Sequence, residues 1–276
     1  MKKTKPILIF CLLSLLGGTC FGQSRLMSFN IRYDTPRDGE NWWDLRKAEV
    51  VELLKYYQPD FLGLQEAMPN QRDYVADQLA TYAHIGHGRD GLNTNSEGVP
   101  LFYKKDKFDL LESDLFWLSE TPDNPSKGWD AALNRIVVYG AFKDKMNGET
   151  LHIFNCHFDH QGRVAREKSA EQLIKYIKTR KLLSEKIILM GDLNCLPTEQ
   201  PISILTQYLQ DSYSENLAEA YGPIGTFNAF DTEKILTQRI DYIFVRNVEV
   251  KSYRSIDDRR KNNLYPSDHL PVLIER

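Results

Sequence analysis

Surplus positive charge is the first thing this chain lacks. Its 35 Lys and Arg stand against 38 Asp and Glu, whereas a nonspecific nucleic-acid binder carries excess base to neutralise phosphates, so charge disfavours processive action on long DNA. Cysteine is scarce too. The four residues show no spacing of a structural zinc site. No fixed-period repeat and no low-complexity tract appears, which argues for a layered domain rather than a repetitive or disordered chain. What remains is 42% hydrophobic and 26% charged over 276 residues. That is enough to bury a full core and is simplest as one large domain, although the length also permits two.

The N-terminus departs from this composition. Lys2, Lys3 and Lys5 precede an apolar run from Ile7 to Leu16 and then small residues through Gly22. This reads as a secretory signal, too short to span a bilayer. Cleavage after Gly22 would leave residues 23–276 as the folded domain and move the formal charge from -3 to -6, with 32 basic against 38 acidic residues. Lipidation at Cys20 is the competing expectation, weakened because Leu16 lies one place too far upstream and Thr19 is larger than usual there. On either reading the protein is exported, periplasmic or secreted, with no transmembrane segment in the mature chain, and a monomer is expected. Cys11 and Cys20 belong to the signal, leaving Cys156 and Cys195. An exported protein could pair them, but each lies in a segment assigned below to the site, so buried free thiols are expected.

Hydrophobic periodicity predicts many strands and few helices. A first strand ends at Asn30. Asp44 caps a helix to about Tyr57, with Leu45, Ala48 and Val51 on one stripe. Residues 60–65 read as a short buried strand tipped by Glu66. A helix over 71–79 follows, then strands over 82–86 and 99–103 around a Gly- and Asn-rich surface loop, 88–98. Further strands fit 108–118, 135–143 and 151–157. An amphipathic helix over 163–180 buries Leu173, Ile174 and Ile177, and an apolar strand over 186–190 is broken by Gly191. The last strands fit 239–245, 248–253 and 272–274. This pattern predicts layered sheets with outer helices and with polar residues at the strand ends.

Those ends hold the chemistry. Ser267-Asp268-His269-Leu270-Pro271 sets an acid beside a histidine, so that one can face a cation and the other a water that it deprotonates. Gly191-Asp192-Leu193-Asn194 closes a fully apolar strand with a carboxylate and an amide; a plain β-turn uses the same residue types, but such strands commonly present functional groups at their ends. Glu66, at the tip of a buried run, must be paired, hydrated or metal-bound. Magnesium takes few protein ligands and leaves the rest of its shell to water and substrate phosphate. Glu66 with Asp268 suits it, and Asn30 could add an amide oxygen or hold a carboxylate in place. Alternation sets His157 and Asp159 on one face, where His157 could stabilise charge on a phosphoryl oxygen; His160 is left outside the core of the site. Asp241 is an acid in an apolar strand and needs a partner. His269 is the natural one, because an Asp-His pair fixes the tautomer and makes a better base. Arg135 could steady a phosphate by a forked contact, and His84, His87 and His152 are expected to be structural or solvated.

Taken in order, Ser28-Phe29-Asn30-Ile31, Leu64-Gln65-Glu66, Asn155-Cys156-His157, Gly191-Asp192-Leu193-Asn194, and Asp241 with Ser267-Asp268-His269 resemble the endonuclease/exonuclease/phosphatase superfamily, over essentially all of residues 25–276. The resemblance implies an α/β fold of deoxyribonuclease I-like type: a four-layer αββα sandwich, two packed mixed β-sheets flanked by helices. It implies that Asn30, Glu66 and Asp268 hold Mg2+ or Mn2+, that Asp241 orients His269 as base or phosphate contact, and that Asp192 positions or deprotonates the attacking water. Asn194 would bind the phosphate and His157 would stabilise the transition state, with water attacking phosphorus in line. The division of base duty between Asp192 and His269 stays open. The run from Ile31 through Asp34 to Asn41-Trp42-Trp43 and Arg46-Lys47 is similar to small secreted bacterial members. Asp34 and the tryptophans are then expected at the substrate pocket, with Arg135 and Asp159 as further substrate contacts, unless the tryptophans simply pack. The expected function is an exported, divalent-metal-dependent phosphoesterase, cutting a phosphodiester or phosphomonoester of a nucleic acid, a phospholipid head group, or an inositol or other small phosphorylated metabolite. A non-catalytic phosphate-binding module on the same scaffold is the alternative from another class.

Overall fold

Alternation along the first strand sets the number of layers. In β1 (Arg25–Asn30), Leu26 turns to one face and Met27 and Phe29 to the other, and all three are fully buried. A strand buried on both faces needs a layer on each side. The computed structural model describes residues 24–215 and 220–276; the expected signal, with the Gly22 boundary and Cys20, lies outside the described residues.

After β1 the chain forms α1 (Trp43–Tyr57), β2 (Phe61–Gln65), α2 (Pro69–Gln78), β3 (Tyr82–Ile85), β4 (Leu101–Lys104), β5 (Phe108–Trp117), β6 (Ile136–Asp144) and β7 (Thr150–His157). It continues through α3 (Arg163–Thr179), β8 (Lys186–Asp192), α4 (Gln200–Thr206), the short β9 (Gln210–Asp211) and β10 (Ala220–Tyr221), then β11 (Asp241–Arg246), β12 (Ser252–Ser255) and β13 (Val272–Glu275). Two mixed sheets result. The first has the order β10-β12-β13-β1-β2-β4-β3, the second β5-β6-β7-β8-β11-β9.

Side chains sort into three apolar layers by the two-residue period of the strands. Between the sheets lie Leu26, Phe61 and Leu101 against Val138, Ile153, Ile188 and Met190. Outside the first sheet, Met27, Phe29, Leu62 and Leu64 meet Val50, Val51 and Leu54 of α1 and Val75 of α2. Outside the second, Phe154, Ile187 and Leu189 meet Leu173, Ile174 and Ile177 of α3 and Ile202 and Leu205 of α4. Each such burial contributes roughly 1.5–3 kcal/mol. The result is the four-layer α/β sandwich that the sequence led us to expect. Among the described residues no helix is long and apolar enough to cross a membrane.

Three local expectations are corrected. Helix α1 forms, and Val51 is buried as expected, but Leu45 is 56% exposed and Ala48 is exposed as well; the buried face is Trp43, Arg46, Val50, Val51, Leu53, Leu54 and Tyr57, because a buried arginine takes the place that a purely apolar reading gives to leucine. Gly191 does not break its strand, since β8 runs through it to Asp192. Its φ of 151° and the Cys156 carbonyl oxygen, into which a Cβ would run, explain the glycine. The strand expected over 248–253 begins only at Ser252, because β11 belongs to the second sheet and β12 to the first. Asn247, with φ 54°, turns the chain into that crossing. Cys156 and Cys195 are buried and free, as expected.

The sheets are also joined by polar contacts. Asn155 of β7 spreads its Nδ2 over the carbonyls of Leu64, Val99 and Pro100 at 2.9–3.1 Å and accepts from Gln65 Nε2 at 2.7 Å. Gly63 lets it come so close, since a Cβ there would sit 2.7 Å from the Asn155 carboxamide. Replacing the amide by an isosteric apolar group leaves buried carbonyls without donors. Asn155→Leu is therefore expected to lower unfolding stability by roughly 2–4 kcal/mol, read from urea midpoints at unchanged slope. A loss below about 0.5 kcal/mol would show that these bonds contribute little.

Candidate active site

Six strand ends meet at one edge of the sandwich. β1 and β2 run parallel, as do β7 and β8, whereas β13 is antiparallel to β1 and β11 to β8. Four C-terminal ends and two N-terminal ends therefore face the same way. Register completes the alignment by setting Asp192 opposite both His157 and Asp241.

Asn30 closes the gap between the sheets. Its Nδ2 donates to Asp192 Oδ2 at 3.0 Å and to Glu66 Oε1 at 3.1 Å, while its Oδ1 accepts from the Arg32 backbone N–H. Of the two tasks open to this amide, it holds carboxylates in place. Asp241 Oδ2 lies 2.8 Å from His269 Nδ1 and accepts from Thr226 Oγ1 at 2.6 Å. His269 Nε2 is then 3.7 Å from Asp192 Oδ2, and His157 Nε2 is 3.4 Å from the same oxygen. Asn194 sends its backbone N–H to Asp192 Oδ1 at 2.9 Å and sets its Nδ2 3.1 Å from His157 Nε2.

Electrostatics separate the two imidazoles. Burial alone would disfavour a cation at either. At His157 it is joined by Arg135 and Arg89, and the pKa falls well below the ordinary value. At His269 burial is outweighed by Asp241 and Asp192, which hold the pKa well above it. Burial and the neighbouring Asp241 push the Asp192 carboxyl up to about 7. Some of the chain's left-handed non-glycine residues lie at the same edge. Arg32, Glu66 and Asn194 have φ of 55°, 58° and 48°, conformations that cost of order 1–3 kcal/mol each and recur at functional sites.

A count of charges tests whether a cation fits. Arg32 is paired with Asp38 at 3.0 Å, Arg89 with Glu97 at 2.6 Å, Arg135 with Asp159 at 3.4 Å and His269 with Asp241. Glu66, Asp192 and Asp268 have only longer, shared ion pairs: Arg32 stands 3.9 Å from both Glu66 and Asp268, and His269 Nε2 3.7 Å from Asp192. An oxygen-rich acid cluster suits a hard divalent ion. Two triads have ligand atoms within 4.8 Å of one another: Glu66 with His157 and Asp192, and Asp192 with Asp241 and His269. The first is the better candidate, because in the second His269 Nδ1 and Asp241 Oδ2 already bond each other at 2.8 Å. Asp268 falls outside both triads.

The site lines a cleft of about 450 Å3, whose walls include Arg32, Tyr33, Arg89, Glu97, Arg135, His160 and Phe227 besides Glu66, His157, Asp192, Asn194, Asp268 and His269. Two expected substrate contacts are corrected. Asp34 accepts from Trp42 Nε1 and Asn70 Nδ2, both at 2.7 Å, and does not line the cleft. Asp159 is buried and accepts from the backbone N–H groups of Gln161, Gly162 and Leu133. Burial would raise its pKa, but the backbone donors of Gly162, Gln161 and Ala132, with Arg135, bring it down to about 2; it braces Arg135 instead of reaching the cleft. Trp43 packs in the core. His160 reaches the cleft against expectation. Sequence reasoning also missed Arg32, Arg89 and Glu97, and the brace formed by Thr226 and Asn228, whose bonds to Asp241 and to the 267–268 backbone hold the last loop.

The profile of the Endonuclease/Exonuclease/phosphatase family matches residues 27–269. The chain belongs to that family. A family protein from Bacteroides vulgatus is 37% identical with a TM-score of 0.86, covering 92% of this chain and 98% of that one. A mannosyl-6-phosphatase of Bacteroides thetaiotaomicron VPI-5482 is 36% identical with a TM-score of 0.85, covering 91% and 98%. An uncharacterised protein of Acanthamoeba polyphaga mimivirus is 29% identical over 257 residues, covering 84% of this chain and 91% of its own length. Family membership places the chain among phosphoester hydrolases of deoxyribonuclease I-like fold.

In this family member a buried arginine sets the loops that carry the site. Arg46 of α1 is fully buried and donates from Nε to Asn41 O, from Nη1 to Ile31 O and Pro266 O, and from Nη2 to Arg32 O, at 2.7–3.0 Å. It thereby joins the segment after Asn30 to the segment before Asp268. Burial lowers its pKa to about 10, so it remains cationic at neutral pH. Lysine keeps the charge but not the planar fork. Arg46→Lys is expected to cost roughly 2–4 kcal/mol of stability, measured by urea unfolding; an unchanged midpoint would remove the clamp from the account.

Proposed function

We propose that this protein is a divalent-metal-dependent phosphatase that releases phosphate from a small phosphorylated sugar by in-line attack of water. The observation that carries this reading is the assembly of the acid cluster, the Asp241-His269 pair, His157 and Asn194 on the floor of one cleft. The likeness to the mannosyl-6-phosphatase, 36% over nearly the whole chain, supports a sugar phosphate over a polynucleotide, as does the lack of basic surplus. Glu66 would hold the cation, with Asp268 beside it and Asn30 fixing the carboxylates of Glu66 and Asp192. When bound, that ion would offset the negative charge developing on the phosphate. Asp192 stands between both imidazoles and is placed to receive a proton from water. His269, held through Nδ1, presents Nε2 to the phosphoryl or leaving oxygen, while the Asn194 amide and His157 contact the phosphate.

The purified protein is expected to release phosphate from hexose 6-phosphates with Mg2+ or Mn2+ and to stop when the metal is chelated. Glu66→Gln and His269→Ala should each lower kcat/KM by on the order of 10²–10⁴. Faster cleavage of an oligonucleotide, sphingomyelin or an inositol phosphate would replace the substrate, and full activity in both variants would remove the mechanism.

We also propose export, from the lysines at 2, 3 and 5 and the apolar run after them. Cell fractionation should find the mature chain outside the cytoplasm beginning at Gln23, and a retained Met1 on cytoplasmic protein would refute it.

A further inference from the structure

Arg89 and Glu97 form a bidentate pair in the cleft wall, at 2.6 and 3.1 Å, with side chains only 13% and 16% exposed. Two arginines that brace the loops of this structure spend most of their donors. Arg46 makes four hydrogen bonds, and Arg260 makes four to Glu49, Glu40 O, Asn41 and Leu45 O. Arg89 spends two of its five N–H groups on Glu97, and its side chain makes no other hydrogen bond among the described residues. Glu97 keeps acceptor capacity as well, since a carboxylate offers about four lone-pair directions.

The pair is held still. Gly88 and Gly98 bridge each other, Arg89 N–H donates to Glu97 O at 2.8 Å, and Trp117 Nε1 donates to Arg89 O at 2.6 Å. Next to it lies a recess of about 10 Å3, bordered by Glu66, Asn134, Arg135 and His157 as well as the pair. That is the room of one water or one hydroxyl oxygen. A second phosphate is the wrong occupant, because Glu97 would repel it. A hydroxyl needs both a donor and an acceptor, and this pair supplies both.

We propose that Arg89 and Glu97 are a hydroxyl-reading subsite that selects a polyhydroxylated phosphomonoester over phosphate esters without hydroxyls. This rests on the phosphatase reading for its reaction but not for its binding. Hydroxyls of the sugar take the open N–H groups of Arg89 and the open oxygens of Glu97 while the phosphate lies toward His157 and Asn194. Pre-ordering of the pair lets these bonds form with little entropy cost.

The test compares mannose 6-phosphate with p-nitrophenyl phosphate in Glu97→Gln and in Arg89→Met with Glu97→Met, the double change leaving no unpaired ion. The ratio of kcat/KM for the sugar ester to that for the aryl ester should fall by roughly 10- to 100-fold, mainly through KM for the sugar. An unchanged ratio in a folded double variant, checked by thermal unfolding, would overturn the subsite. Calorimetry in chelator separates the two readings. The wild-type protein should bind mannose 6-phosphate more tightly than inorganic phosphate, and the double variant should close that gap. No gap in the wild type overturns the subsite; a gap without turnover of any monoester overturns the phosphatase reading and leaves the subsite standing.

Discussion

The Asn30 amide, donating to Glu66 from one sheet and to Asp192 from the other, is the contact on which the geometry of the site depends. Apolar side chains between two sheets fix a spacing of about 10 Å but say little about sliding. Directed hydrogen bonds do say it. Asn155 and Gln65 lock the same pair of sheets one layer deeper, so the carboxylates at the edge inherit a register set in the core. Buried polar contacts of this kind contribute little net energy when satisfied and a large cost when broken, which makes them better at specifying one arrangement than at stabilising it.

Charge follows a comparable division. The cations that face the cleft bring acids of their own, and the loops are tied instead by Arg46, whose positive end is spread over backbone carbonyls. The result is an edge where Glu66, Asp192 and Asp268 crowd together and share Arg32 and His269 as their cations. Two histidines a few ångströms from the same Asp192 oxygen are then driven in opposite directions by their neighbours, arginines for His157 and carboxylates for His269. One residue type is tuned in two directions because the second layer around it differs.

The strand-end chemistry was legible because it sits where buried strands stop. Asp192, Asp241, His157, Glu66 and His269 each interrupt or end an apolar run, and a polar residue there has to be explained. Asp34 and Asp159 misled for the opposite reason. Both lie in irregular segments whose backbone and side-chain donors consume them, and no local pattern shows that a loop carboxylate is already satisfied. The α1 stripe failed because Arg46 is buried without being apolar. Arg89 and Glu97 lie in a Gly- and Asn-rich stretch that has the composition of any solvated loop. Only pairing between Gly88 and Gly98 folds that stretch back and brings its charges to the cleft.

Strain and rigidity meet at this edge for a physical reason. Three left-handed residues and a crowded acid cluster together raise the energy of the folded state locally, and a marginally stable fold can hold them only if nearby elements resist relaxation. The elements that resist are identifiable: the Arg46 clamp behind Arg32, the Thr226 and Asn228 brace behind Asp241 and Asp268, and the Cys156 carbonyl packed on Gly191 beneath Asp192. Each acts on the backbone next to a charged side chain or, for Thr226, on the Asp241 carboxylate, without lining the cleft. A neutralising ligand at the acid cluster would therefore relieve charge without having to reshape the loops, because their geometry is fixed from behind. This is what allows a site of like charges to exist before its ligand arrives.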